Sequence, residues 1–307
     1  MELDPVDRAL VRELQVDGRA SYEFLAGRVG LSRVSARARV RRLVDSGAMH
    51  VAAVVHPSAR GLFALAHLSV HVERDTVGVA ERIAAMPQMP LVSVVAGERA
   101  VIAEVRTEDM LQLRATVAEV RALPGVHGVT TVPYSRGVKD VYSPGGLIGP
   151  RNGVALDRLD HHLIEVLQAD GRIPFARLGR ITNTSASSAR MRVLALLNAG
   201  ILHIGAIITP GMLGLGSMCG FGLVLDPATG ATGRIAEQDD VYYLTETIGQ
   251  WDAVGTLFCT SPAAVSEALD RIRDVPGVRG LEAWMHLRVV KEDYSLPDLP
   301  AARSPGS

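Results

Sequence analysis

The chain has 307 residues, of which 48% are hydrophobic and 21% charged, enough for two or more domains with their own cores. A formal charge of −1 excludes a uniformly basic nucleic-acid binder, and two cysteines, Cys219 and Cys259, exclude a disulfide framework. No apolar run reaches the roughly 18 residues of a membrane span, and Met1-Glu2-Leu3-Asp4 does not open a basic-then-apolar leader, so a cytoplasmic protein without membrane contact is predicted.

Asp4-Pro5 predicts an N-cap followed by proline in the first helical turn, with Asp7 in the capping-box place. Val6, Leu10 and Leu14 recur at helical spacing until Asp17-Gly18 ends the run. Ser21 caps a second predicted helix that stops at Gly30. Ser32 caps a third, with Ala36, Val40, Leu43 and Val44 facing inward and Gly47 beyond its end. Two short helices joined by a Gly-Leu-Ser turn, after a longer first helix, form a helix-turn-helix pattern. A β-rich stretch follows over Val51 to Val55.

The next elements are a strand over Phe63 to Glu73, a helix over Val77 to Met86 and a strand pair, Leu91 to Ala96 and Val101 to Val105, around Gly97. A helix over Asp109 to Leu123 and a last strand from Val126 to Ser135 complete a βαββαβ order, the ferredoxin-like pattern.

The whole unit then returns. Leu3-Asp4, Asp7, Leu10, Leu14-Gln15 and Asp17-Gly18-Arg19 are matched, about 153 residues later, by Leu156-Asp157, Asp160, Leu163, Leu167-Gln168 and Asp170-Gly171-Arg172. Pro124-Gly125-Val126 and Val138-Lys139 reappear as Pro276-Gly277-Val278 and Val290-Lys291. The second copy predicts strands over Ile204 to Ile208, Met218 to Leu225, Val241 to Ile248, Ala253 to Cys259 and Val278 to Val290, with helices over Gly233 to Glu237 and Ala263 to Ile272. The expected fold class is α+β: two winged or simple helix-turn-helix modules, each followed by a βαββαβ domain. The expected ranges are 1–56 and 57–142 for the first copy, a Gly/Pro-rich linker over 143–155, 156–209 and 210–294 for the second copy, and a disordered tail over 295–307.

The copies differ most on the third helix. Opposite the buried side, the first copy carries Val34, Ser35, Ala38, Arg41 and Arg42, with Arg37 and Arg39 on the flanks. Small residues near the helix start allow close approach to a major groove, and guanidinium groups reach phosphates or guanine edges. Ser32 and the helix N-terminus add an anion contact, and Arg33 opens the same helix. Arginines can simply solvate a helix surface, but between Glu23 and Asp45 no acid intervenes, which favours double-stranded DNA as partner. In the second copy the equivalents of Val34, Ala38, Arg41 and Arg42 are Ser187, Met191, Leu194 and Ala195, a mainly apolar face expected to pack against protein or bind DNA weakly through Ser185, Ser187, Ser188 and Arg190. Asn183 stands where the first copy has the turn residue Gly30.

Together these motifs resemble the Lrp/AsnC (feast/famine) transcriptional regulators. The resemblance rests on the Leu-Asp…Asp-Gly-Arg opening, the Gly-Leu-Ser recognition segment, Leu-Pro-Gly-Val and the terminal Val-Lys, and it runs nearly the whole chain twice. It implies a DNA-binding regulator whose βαββαβ domain pairs with another copy and senses an amino acid or related small metabolite. Two units in one chain then form a covalent pseudo-dimer that assembles further as a homo-oligomer. Effector sites of the family lie around a Gly-x-x-Asp turn and a Thr on the last strand. Here Gly97 keeps the first turn without its Asp and Thr131 remains, whereas Gly249 and Asp252 keep the second turn but Ala283 replaces the Thr. Both residues of the second turn could equally just shape a hairpin.

Neither a metal nor a cofactor is expected. His67 and His71 on one strand stand about 13 Å apart, too far for one ion, and are expected on a surface or interface. Trp251 and Trp284 are expected as core or interface aromatics. No nucleophile-elbow arrangement supports catalysis, so no catalytic residue is assigned. The sirohaem decarboxylases resemble the same two-domain architecture and offer an enzymatic alternative, against which stand the basic third helix and the lack of a clustered His/Tyr/Arg strand segment. A partner subunit that binds no DNA is the other alternative.

Overall fold

The computed structural model describes residues 3–97, 99–142, 156–209 and 216–294. The linker expected over 143–155, the tail over 295–307 and the first residues of the range 210–294 lie outside the described residues.

The first module consists of α1 (Pro5–Val16), α2 (Tyr22–Val29) and α3 (Arg33–Asp45), followed by β1 (Met49–Val55). Asp4 caps α1 by accepting from the Asp7 amide, and Leu10 and Leu14 are fully buried at helical spacing. Gly30 ends α2 in the left-handed region at φ 68°, and its counterpart Asn183 adopts the same conformation at φ 54°, as the shared turn requires. Val44, expected inside, is 40% exposed, because Ala36, Val40 and Leu43 already fill the narrow contact stripe of α3.

The second module repeats this with α6 (Arg158–Ala169), α7 (Phe175–Ile181), α8 (Ala186–Asn198) and β6 (Leu202–Ile208). The two modules are not separate bodies. β1 and β6 form an antiparallel two-stranded ribbon centred on Ala52 opposite Gly205. Ala206 and Ile208 of β6 enter the first module's core, and Val51, Ala53 and Val55 of β1 enter the second's. Each module thus lends its strand to the other, which removes the bare edge a lone strand would leave.

The βαββαβ halves are β2 (Ala64–Val72), α4 (Thr76–Ala84), β3 (Leu91–Val95), β4 (Val101–Thr107), α5 (Met110–Arg121) and β5 (Val126–Asp140), then β7 (Ser217–Leu225), α9 (Ala231–Ala236), β8 (Val241–Thr247), β9 (Ala253–Cys259), α10 (Pro262–Arg273) and β10 (Val278–Glu292). They close into one eight-stranded barrel in the order β10-β3-β4-β2-β5-β8-β9-β7. β5 runs five residues past the strand expected from sequence because its second half leaves its own sheet and pairs with β8, with Tyr134 opposite Thr247; β10 does the same on β3, with His286 opposite Val95.

The repeated Val-Lys ends finish this exchange. Lys291 donates to the Ala84 and Met86 carbonyls at the end of α4, and Lys139 donates to Gln238 O beyond α9, so each lysine satisfies carbonyls at the end of the other half's helix. On β4, Val101, Ala103 and Val105 face the helices, while Ile102, Glu104 and Arg106 face the barrel lumen.

Candidate nucleic-acid interface and ligand sites

The α3 surface is built by a capping serine and a pair of acids. Ser32 accepts from the Ser35 amide at 3.1 Å and its hydroxyl meets that of Ser35 at 2.9 Å. Arg33, Ser35, Arg37, Ala38 and Arg41 are exposed, and Val34 is 78% exposed at the outermost point. Arg39 donates to both Asp4 and Asp7, the latter at 2.9 Å.

Arg42 departs from its expected place facing the groove. Its Nη2 bonds Asp7, whose side chain is only 2% exposed, so this arginine fastens α3 to α1 instead. Asp7 is thereby drawn toward α3, and α1 has the Asp4 cap without the reciprocal bond of a capping box. In α6, where the counterpart of Arg42 is Ala195, Asp160 does complete the box with Asp157, and Arg192 bonds both acids. The guanidinium groups on α3 that keep no acid partner among the described residues are Arg33, Arg37 and Arg41.

On α8, Ser185 caps the helix through the Ser188 amide at 3.0 Å and meets the Ser187 hydroxyl, and Arg190 is exposed. Met191, expected to seek burial, is 69% exposed, and Leu194 is 37% exposed. Nothing else in the chain covers this face among the described residues.

The four positions that the resemblance marks for an effector come from both halves. The turn after β8 leans on β5 of the other half: Ile248 N donates to Pro133 O at 2.9 Å, two residues from Thr131. Gly249 is in the left-handed region at φ 137°, and Oδ2 of the exposed Asp252 accepts from the Leu225 amide at 2.7 Å. Thr131 Oγ1 is shut off from solvent without a partner. Of the residues split between the copies in sequence, Gly249 thus approaches β5 beside Val132, next to Thr131, while Asp252 is bonded to β7. At the matching edge, Ala96 N donates to Met285 O, and Arg99 beside Gly97 bonds Glu282 at 2.7 Å and stacks over the Trp251 ring.

The barrel lumen holds groups that sequence reasoning missed. His67, expected on a surface or interface, lies at the interface between the halves: it is 6% exposed and packs against Trp251 and Trp284, which stack on each other with centroids 5.2 Å apart. Beyond them, Arg106 Nε donates to Glu104 at 2.6 Å with both side chains buried, and Arg106 lies over the Tyr294 ring. Burial drives the His67 imidazole down to about 3 and that of His286 to about 4, so both are neutral at physiological pH. Burial, joined by the Glu104 charge, raises the phenols of Tyr134, Tyr243 and Tyr294. The sequence shows no single His/Tyr/Arg strand segment, yet the barrel gathers His67, Arg106, Tyr134, Tyr243, His286 and Tyr294 from separate stretches of chain. The available signal was the charged pair Glu104/Arg106 on one face of an otherwise apolar strand.

Residues 3–44 and 156–197 match the AsnC-type helix-turn-helix domain, and residues 62–144 match the Lrp/AsnC ligand binding domain. An HTH-type transcriptional regulator of Pyrococcus horikoshii is 33% identical over 134 residues, covering 43% of this chain and 85% of the relative. The HTH-type transcriptional regulator LrpA of Mycobacterium tuberculosis is 36% identical over 128 residues, 39% of this chain and 85% of the relative. Over the whole length, the crystal structure of the siroheme decarboxylase NirDL superposes with a TM-score of 0.64 at 14% identity, covering 94% of this chain and 93% of that one, a likeness of fold alone.

Proposed function

The chain belongs to the Lrp/AsnC family of transcriptional regulators, and from that premise we propose that it binds operator DNA through the first module and responds to a small metabolite held at the edge of its barrel. Ser32, Arg33, Val34, Ser35, Arg37, Ala38 and Arg41 form the groove face. The observation that carries this reading is the exposed Arg33/Arg37/Arg41 row beside a serine-capped helix start, present on α3 and reduced to Arg190 on α8. Ser185, Ser187, Ser188 and Arg190 give the second module at most weak backbone contacts.

The effector site in this reading is the turn from Gly249 to Asp252, whose start leans on β5 near Thr131, while the turn at Gly97 is closed by Arg99 and Glu282. Because the intramolecular pair already satisfies one twofold relation, two chains are needed to present two α3 helices to a palindromic site. The uncovered Met191/Leu194 face supports such a contact between chains.

An anionic tetrapyrrole substrate fits the lumen poorly, since its lining offers the single guanidinium of Arg106 among the described residues and sets it against Glu104 and Glu292. The test is a gel-shift assay on genomic fragments recovered with the protein. Arg37→Glu with Arg41→Glu is expected to abolish retention, and undiminished retention would refute the groove assignment.

A further inference from the structure

A cavity of about 490 Å³ lies where the ribbon between the modules meets the barrel and is lined by Ala53 and Ile208 of the ribbon as well as by lumen residues. Its charge is one-sided. Glu104 and Glu292 face it with Arg106 as the one guanidinium of its lining among the described residues, and the imidazoles of His67 and His286 are neutral. Glu292, whose side chain still reaches solvent, is held above the usual carboxylate range by the desolvation of its surroundings and by the Glu104 charge, a repulsion that a bound cation would relieve.

The architecture does not require this arrangement. In the second half the positions of Glu104 and Arg106 are occupied by Thr256 and Phe258, which line the same cavity. A buried ion pair is commonly no better for stability than apolar side chains of similar size, so its retention on one wall alone points to a ligand. Two ring nitrogens reinforce this: Trp284, 8% exposed, has Nε1 with no partner, and His286 Nδ1 is likewise shut off and unpartnered. A neutral imidazole nitrogen accepts a hydrogen bond from an ammonium group, and an indole N–H donates to an oxygen on the ligand body where one is present. The rings of Tyr134, Tyr243 and Tyr294 complete an aromatic wall.

We infer that this cavity is a second ligand site, separate from the barrel edge, and that it takes a small organic amine with an aromatic or apolar body. The ammonium sits between Glu104, Glu292 and His286, and the body reaches toward the aromatic wall and the ribbon. The site does not depend on the DNA-binding reading, because occupancy is measured without DNA.

Calorimetric titration and thermal unfolding of the full chain with phenethylamine and tyramine test it, against their carboxylate isosteres phenylpropionate and para-hydroxyphenylpropionate. The amines are expected to bind one per chain and raise the melting temperature, and the carboxylates to do neither. Glu292→Gln, which leaves the Glu104–Arg106 pair intact, should weaken amine binding at least tenfold. The double substitution Glu104→Thr with Arg106→Phe, which copies the second half's own residues, should abolish it. Equal binding of the carboxylates, no binding of either amine at millimolar concentration, or unchanged affinity in Glu292→Gln would each overturn the assignment.

Discussion

Arg19 and Arg172, the last residues of the two Asp-Gly-Arg repeats, each reach into the other's turn. Arg19 Nη1 donates to Gly171 O at 2.7 Å and Arg172 Nη1 to Gly18 O at 2.6 Å. The same guanidinium groups bond Ile173 O and Ala20 O and lie over the Phe175 and Tyr22 rings. The repeated tripeptide is thus a reciprocal clasp between the modules and not a DNA contact.

The clasp needs glycine. A Cβ on Gly18 would stand 2.7 Å from Val51 Cγ1 and 2.9 Å from Ile204 O, and one on Gly171 would stand 2.8 Å from Ile204 Cγ2. Gly18→Ala is expected to destabilise the module pair by about 1–3 kcal/mol, as overpacking does. Urea unfolding followed by far-UV circular dichroism measures this, and an unchanged midpoint would contradict the clasp.

Asp7 anchors α3 through Arg39 and Arg42 with its own side chain buried. Replacing it by alanine strands two guanidinium groups at a helix contact. Since both arginines remain partly in water, the cost is discounted from that of a fully buried pair to about 2 kcal/mol. Asp7→Ala should therefore lower the stability of the first module, whereas Arg42→Gln, which removes a half-exposed partner, should cost less. A larger loss in Arg42→Gln than in Asp7→Ala would reverse this ordering.

Much of this organisation was legible in the chain. The caps at Asp4, Ser21 and Ser32, the Gly30/Asn183 turn and the βαββαβ order are local signals, written in residue types at fixed spacing. What escaped was made by pairing across the copies. The far half of β5 has no hydrophobic pattern of its own, because its partner is β8 of the other half. Between surface and interface, the sequence could not choose for His67, because strand alternation does not say that the outer face of an open sheet becomes the inside of a barrel. Arg42 looked like a groove residue because a helix projection shows only its own helix, not the buried Asp7 waiting on α1.

Acid should weaken the helix-turn-helix modules, whereas in the barrel the depressed carboxyls of Asp226 and Glu246, held by Arg279 and Arg136, oppose the raised one of Glu292. Arg39 holds the Asp4 carboxyl below its usual range, and the Asp160 amide, then Arg192, does the same for Asp157. Depressed carboxyls contribute stability that is present above the unfolded value, about 4, and lost as pH falls through the folded one. The raised carboxyl of Glu292 works the other way, its folding penalty vanishing as pH falls below the unfolded value. Hydrogen exchange between about pH 5 and pH 3 should show α1, α3, α6 and α8 losing protection, after correction for intrinsic exchange, before the barrel strands do. Simultaneous loss would mean that these carboxyls do not govern acid stability.

The copies also allow a gain-of-function test. Leu194 stands on α8 where α3 has Arg41, and it is already 37% exposed, so an arginine can be placed there without opening a core. If Arg41 contacts a phosphate, Arg41→Gln should weaken binding evenly across sequences and reduce the slope of log affinity against log salt by about one. Arg42→Gln should leave that slope nearly unchanged, since its guanidinium is held by Asp7. Leu194→Arg should raise non-specific affinity and steepen the slope if the second module lies against the duplex, and should alter neither if that face meets another chain. Fluorescence anisotropy at several salt concentrations separates these outcomes. A slope that falls with Arg42→Gln and not with Arg41→Gln would move the DNA-contacting edge of α3 to the side now assigned to helix packing.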